Sequence, residues 1–215
     1  MPSPDADRPP EARAVAERYL RRERPLSALV VVLAVALFLA AYAATSLLPA
    51  VGVAAVLLVV ARAPILTSNG TIRLRTDADP KTVAASFAGP TPPVLALQWG
   101  VADGVVPADD GATYPVSYLF GLRSIEMAVE THVSETDDGA RRVELDVTAN
   151  GSAWATYTAT IRDDGEGTVV DVEYDAERRF GLRRVPQQLV AERYRDEALA
   201  VQGYEVVARD AHFGL

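Results

Sequence analysis

The sequence predicts an α+β protein: two transmembrane helices, then an antiparallel sheet and a long C-terminal helix. Three observations carry this expectation. Residues 26–48 hold no charge, and a second apolar run, Leu47–Ala61, follows almost at once. Beyond residue 67, apolar and polar residues alternate over segment after segment, the period of a sheet with one wet face. Near the end, Val190, Tyr194, Ala198 and Val201 recur at helical spacing. The chain thus divides at residues 25 and 66. Residues 1–25 form a disordered start and a short amphipathic cytoplasmic helix. Residues 26–66 form a two-helix transmembrane hairpin, and 67–215 a cytoplasmic domain.

Taken in order, Met1–Pro10 is rich in Pro and Asp and reads as disordered. Pro10–Arg24 places Ala12, Val15, Ala16, Tyr19 and Leu20 on one helical face. The first apolar run is long enough to cross a bilayer, which takes about 20 apolar residues. The second is shorter and needs Arg62 to snorkel. Pro49 and Gly52 argue for a hairpin over one long helix. A single span and a cleaved signal peptide, suggested by Ala41-Tyr42-Ala43, are the competing readings. Arg18, Arg21, Arg22 and Arg24 precede the first run, and Arg62, Arg73 and Arg75 follow the second. The positive-inside rule then gives a multi-pass cell-membrane protein with both termini cytoplasmic.

The formal net charge of -8 is uneven. Ile65 onward holds 24 acids and 14 bases, the remainder 5 and 7. An acidic domain of this kind excludes nucleic acid as a bulk electrostatic partner. Lys81 is the sole lysine, and the acidic, Ala- and Val-rich composition resembles that of halophilic proteins. There is no cysteine, so thiolate chemistry is excluded. Two histidines, His132 and His212, are too few for a multi-histidine metal site.

Ser68-Asn69-Gly70 reads as a turn and Thr71–Thr76 as a strand. Asp79 and Pro80 open a helix that Gly89-Pro90 stops. About six strands follow. Leu95, Leu97, Trp99 and Val101 alternate in the first; Val116, Tyr118 and Phe120 share a face in the second. The others centre on Ile125–Val133, Val143–Ala149, Ala153–Ile161 and Val170–Ala176. Three Asp-Asp-Gly copies, at 109–111, 137–139 and 163–165, and Asn150-Gly151 are turn chemistry; they lack the spaced oxygens of a calcium loop. Pro186 starts the last helix, Gly203 caps it, and Tyr204–Ala208 is a short tail.

Strand, short helix, antiparallel strands and long helix is an order that resembles the START/Bet v 1-like (SRPBCC) helix-grip superfamily, which includes polyketide cyclase-like and lipid-transfer proteins. Thr76–Val83 looks like that group's first strand entering its first helix. Arg178–Tyr204 looks like its last strand turning into the gripping helix. The resemblance implies a curved sheet wrapping the long helix around an apolar cavity, lined by Trp99, Tyr118, Met127, Tyr157, Tyr174 and Tyr194 as ligand-binding residues. It implies a lipid or other hydrophobic ligand, held beside the membrane lipid bilayer as second partner. The competing reading is a filled core with each tyrosine hydroxyl on a backbone partner, and a domain that docks a protein.

No pattern for catalysis stands out. His132 shares a wet face with Glu126 and Glu130. There is no nucleophile elbow, no phosphate loop and no dinucleotide fingerprint. Asp103 with Asp109 or Asp110 is the one carboxylate pairing of note. No cofactor, metal site or catalytic residue is expected, and the enzyme reading, cyclase-like or hydrolytic, stands third.

Overall fold

The computed structural model describes residues 5–63, 66–118, 122–180 and 185–214. Helix α1 (Pro10–Ala44) and helix α2 (Leu47–Arg62) come first. Strand β1 (Leu66–Thr76), helix α3 (Pro80–Ala88), a 3-10 turn (Pro93–Leu95) and helix α4 (Ala96–Val101) follow. Then come β2 (Val106–Ala108), β3 (Gly111–Tyr118), β4 (Arg123–Glu135), β5 (Arg141–Ala149), β6 (Ser152–Asp163) and β7 (Thr168–Phe180). Helix α5 (Val185–Ala200) and β8 (Glu205–Gly214) close the chain. The strands form one antiparallel sheet in the order β2-β3-β4-β5-β6-β7-β1-β8.

Local chemistry explains the regular parts. On β5, Val143, Leu145, Val147 and Ala149 are buried while the residues between them face outward. Asn150 and Gly151 both take positive φ, 50° and 71°, which lets two residues reverse β5 into β6. Asp79 caps α3 by accepting from the backbone N–H of Lys81 at 3.0 Å and of Thr82 at 3.1 Å.

The helices cover one face of the sheet. Phe87 and Val83 of α3 are fully buried, and α3 lies over the middle strands. Helices α4 and α5 pack on each other and on the 3-10 turn, and the first half of α1 lies on both. A Cβ added to Gly100 would lie 2.6 Å from that of Ala16, so α1 and α4 meet through their smallest residues. Tyr19 meets Tyr194 edge-on at 5.8 Å, and Arg18 pairs with Glu197 at 2.8 Å.

Several expectations are corrected. Among the described residues no helix is long and apolar enough to cross a membrane. Helix α2 has 16 residues, about 24 Å at 1.5 Å each, against about 30 Å of hydrocarbon. Helix α1 commits its charged first half to α4 and α5. The two transmembrane helices preceding the sheet, the multi-pass cell-membrane localisation with cytoplasmic termini, and the membrane and transmembrane readings are therefore withdrawn. The hairpin shape is present, with α2 folding back on the end of α1 after Thr45 and Ser46. Many of its large apolar side chains, from Leu29 to Leu39 and from Leu47 to Val59, are more than two-fifths exposed.

Residues 5–9 are not structureless. The Ala6 N–H donates to Val105 O at 2.9 Å, Asp5 accepts from Val105 N at 2.6 Å, and Arg8 donates to Ala102 O at 2.8 Å. Leu95–Val101 is helical, because Pro92 and Pro93 deny the ladder its N–H donors and favour a helix start. Ser68–Gly70 lies inside β1. The C-terminal helix is not the last element: what was read as a short tail is an edge strand on β1. A register shift at Arg73/Leu74 turns Arg209 inward, where it donates to Asp196 of α5. An inward charge and a bulge both blunt an exposed edge.

Candidate functional site

The site is built on cross-strand rows of the helix-covered face. Strands β6, β7 and β1 place Tyr157 opposite Tyr174, and Tyr174 opposite Gly70. The two rings stack at 6.2 Å with 28° between their planes. A Cβ on Gly70 would meet Asp210 O at 2.3 Å and the Tyr174 hydroxyl at 3.0 Å. Glycine is thus required inside this strand, because the backbone of β8 and an aromatic side chain both close on it. One row along, Ala155 pairs with Val147 and Ala176 with Ser68. Ala155 is 7% exposed; Ala176, Ser68, Tyr157 and Tyr174 are half-buried. At the β5–β6 register shift, Trp154 is half-buried against the core.

Two polar residues from the helix layer reach this floor. The Gln98 amide of α4 donates to the Tyr157 hydroxyl, and the Arg195 cation of α5 stands in Coulombic range of it. Burial pushes the Tyr157 hydroxyl up from its ordinary value; the Arg195 charge and the Gln98 hydrogen bond pull against this.

The six residues named from the sequence separate into three groups. Tyr157 and Tyr174 come together in the stack. Tyr194 is buried against Tyr19, on the far side of α5 from solvent. Trp99 lies on α4, fully buried, and its indole N–H donates to Pro92 O at 2.9 Å. Met127 is buried on β4 opposite Tyr114 and Ala149. Tyr118 ends β3 and is 38% exposed. Sequence reasoning missed Gln98, Arg195, Gly70 and Ser68. The first sits in a segment whose alternation predicts a strand, the second between the apolar stripe positions of the last helix. The glycine inside a strand was the available signal for the third. Phe120 lies outside the described residues, as does the junction 181–184 between β7 and α5.

The opposite face of the sheet is polar. An open depression of about 440 Å³ is lined by Asn69, Thr71, Thr156, Thr158, Glu173, Asp175 and His212, and also by Gly70 and Tyr174. His212 is 3.5 Å from Asp210, and His132 is 3.9 Å from Asp146. Among the described residues no group of three or more His, Asp or Glu side chains is arranged to hold a metal. Asp103 is structural: it accepts from Ser117 N at 2.9 Å.

No protein-family model matches the chain, and no curated protein matches it. Among solved structures, the Mll3558 protein from Rhizobium loti is 16% identical over 64% of this chain and 98% of its own, with a TM-score of 0.41. A conserved protein from Geobacillus kaustophilus is 13% identical over 68% and 99%, at 0.39. An uncharacterised protein from Rhizobium leguminosarum is 14% identical over 64% and 97%, at 0.36. Likenesses of this size carry no argument about what the chain does.

Proposed function

We propose that the chain binds a hydrophobic small molecule, of lipid character, on the helix-covered face of its sheet. One observation carries the reading: a floor of Ser68, Ala155 and Ala176 lies beside the half-buried Tyr157–Tyr174 stack. Alanine and serine leave volume over a sheet that valine and leucine would fill. Aromatic walls with a few polar groups suit an apolar guest. Each methylene removed from water contributes about 0.8 kcal/mol. The resemblance of Thr76–Val83 and Arg178–Tyr204 to the helix-grip superfamily points the same way.

A second reading, a protein-interaction module, draws on the exposed apolar side chains of α1 and α2. One experiment separates the two. Native mass spectrometry of the purified full chain is expected to show a small-molecule adduct, and 1-dodecanol is expected to bind in calorimetry. Ala176→Trp should weaken dodecanol at least about tenfold, a larger loss than surface adsorption to α1 and α2 would show. A clean apo mass with a recurrent protein partner, or dodecanol binding indifferent to Ala176→Trp, would turn the reading to the interaction module.

A further inference from the structure

No charged residue occurs between Arg24 and Arg62. Among the described residues, fifteen of the twenty exposed large apolar side chains lie between Leu29 and Val59, at 42% to 85% exposure. Together they leave on the order of 1,000 Å² of apolar surface in water, where a monomer rarely leaves more than a few hundred and a stable interface takes about 800 Å² per partner. The hairpin does not cover itself. Phe38 and Ala41 on α1, and Ala50, Ala54 and Leu57 on α2, are buried or half-buried, which is one line of each helix. A helix apolar on every side belongs in an interior, so a second wall is needed. Away from its buried line, α2 carries Leu48, Gly52, Ala55 and Val59 at spacings of 4, 3 and 4, the repeat of a helix-packing seam. All four are exposed, and nothing lies within 4 Å of a Cβ added to Gly52.

We infer that the hairpin of a second copy of this chain covers this one, helix against helix, in a closed oligomer whose smallest form is a dimer built on a four-helix bundle. The cover must be free of charge along the 16 residues of α2. That length is about 24 Å, short of the roughly 30 Å of a bilayer's hydrocarbon. A second hairpin matches in length and in chemistry, because a two-fold axis sets the same residues on both sides of the contact. The acidic remainder, 24 acids against 14 bases from Ile65 onward, repels its like and confines the contact to the uncharged hairpin. The contact stands apart from the ligand reading, since it uses α1 and α2 and leaves the sheet face free.

The test is the mass of the purified full chain in detergent-free buffer, by light scattering and sedimentation velocity, over about 0.1 to 100 μM. Two copies or a small fixed multiple are expected. Ala55→Glu combined with Val59→Glu puts charge into the contact at positions that are exposed in the single chain. It should raise the concentration for half-dissociation at least about a hundredfold. Val207→Glu, on the β8 edge and 56% exposed, should leave that concentration within about twofold. Circular dichroism and urea midpoints establish that each variant is folded. A single-chain mass across the range overturns the inference, whether the hairpin then partitions into phosphatidylcholine vesicles or holds a different protein. So does an oligomer that survives the paired glutamates, or one lost in Val207→Glu, which would place the contact on the sheet edge. Open-ended aggregation in place of a fixed multiple overturns it as well.

Discussion

Strands β6, β7 and β1 each run through two different environments on the same face. In one half, Ile161, Val170 and Leu74 form a cross-strand row, with Ala159, Val172 and Ile72 in the next. Ile161, Val170, Leu74, Ala159 and Val172 are buried to within about 1%. In the other half, the matching positions are Tyr157, Tyr174 and Gly70, then Ala155, Ala176 and Ser68, most of them half-buried. The backbone is the same and the alternation is the same. What differs is side-chain volume and exposure, with Gln98 and Arg195 near Tyr157 in the second half. A sheet can thus be fully sealed at one end and only half-buried at the other, decided by a few small residues in place of branched ones.

The largest expected effect breaks the filled part. Trp99 is fully buried with its indole N–H bonded, so Trp99→Ala loses transfer energy, leaves a cavity and orphans the Pro92 carbonyl. A loss of about 3–5 kcal/mol is expected in urea unfolding. A change below about 1 kcal/mol would show that α4 does not seal the core.

The comparison is sharpened by making one substitution twice. Ala159→Leu adds three carbons where no space is left and should cost about 1–3 kcal/mol. Ala176→Leu adds the same atoms in the open half and should stay within about 0.5 kcal/mol. Equal costs in chemical denaturation would mean that both halves are packed to the same density.

This contrast marks what could be read from the sequence. Alternation named the inward residues of β5, β6 and β7, because a strand's side chains must alternate whatever lies above them. It gave no volume, so Tyr157 and Trp99 looked alike as large inward aromatics, although one is half-buried and the other is wholly enclosed. Leu95–Val101 misled because its alternation was accidental, and Pro92–Pro93 was the stronger signal. Strand β8 was missed because its apolar residues are few and its pairing with β1 is remote in sequence. On α5 the stripe was placed too narrowly: Ala191 and Leu199 are buried, and Val201 is 37% exposed. The two apolar runs were legible as helices. What surrounds them is a tertiary property, and local hydropathy does not report it.

The smallest effect tests how the filled half is held in place. Helix α3 lies over the middle strands, and Asp79 fixes its first turn by accepting from two backbone N–H groups and the Thr82 hydroxyl. Those bonds favour the carboxylate, the Thr82 hydroxyl most of all, and hold Asp79 below its ordinary value of 3.8. A depressed carboxylate stabilises the folded chain above its unfolded pKa, and that contribution is lost as pH falls through the folded one. The stability gap between wild type and Asp79→Ala should therefore be constant at neutral pH and narrow on acidification below the ordinary carboxylate range. If the gap is unchanged in acid, measured by urea midpoints, the charge on Asp79 plays no part in seating α3. The neutral oxygens alone would then hold the helix over the middle strands.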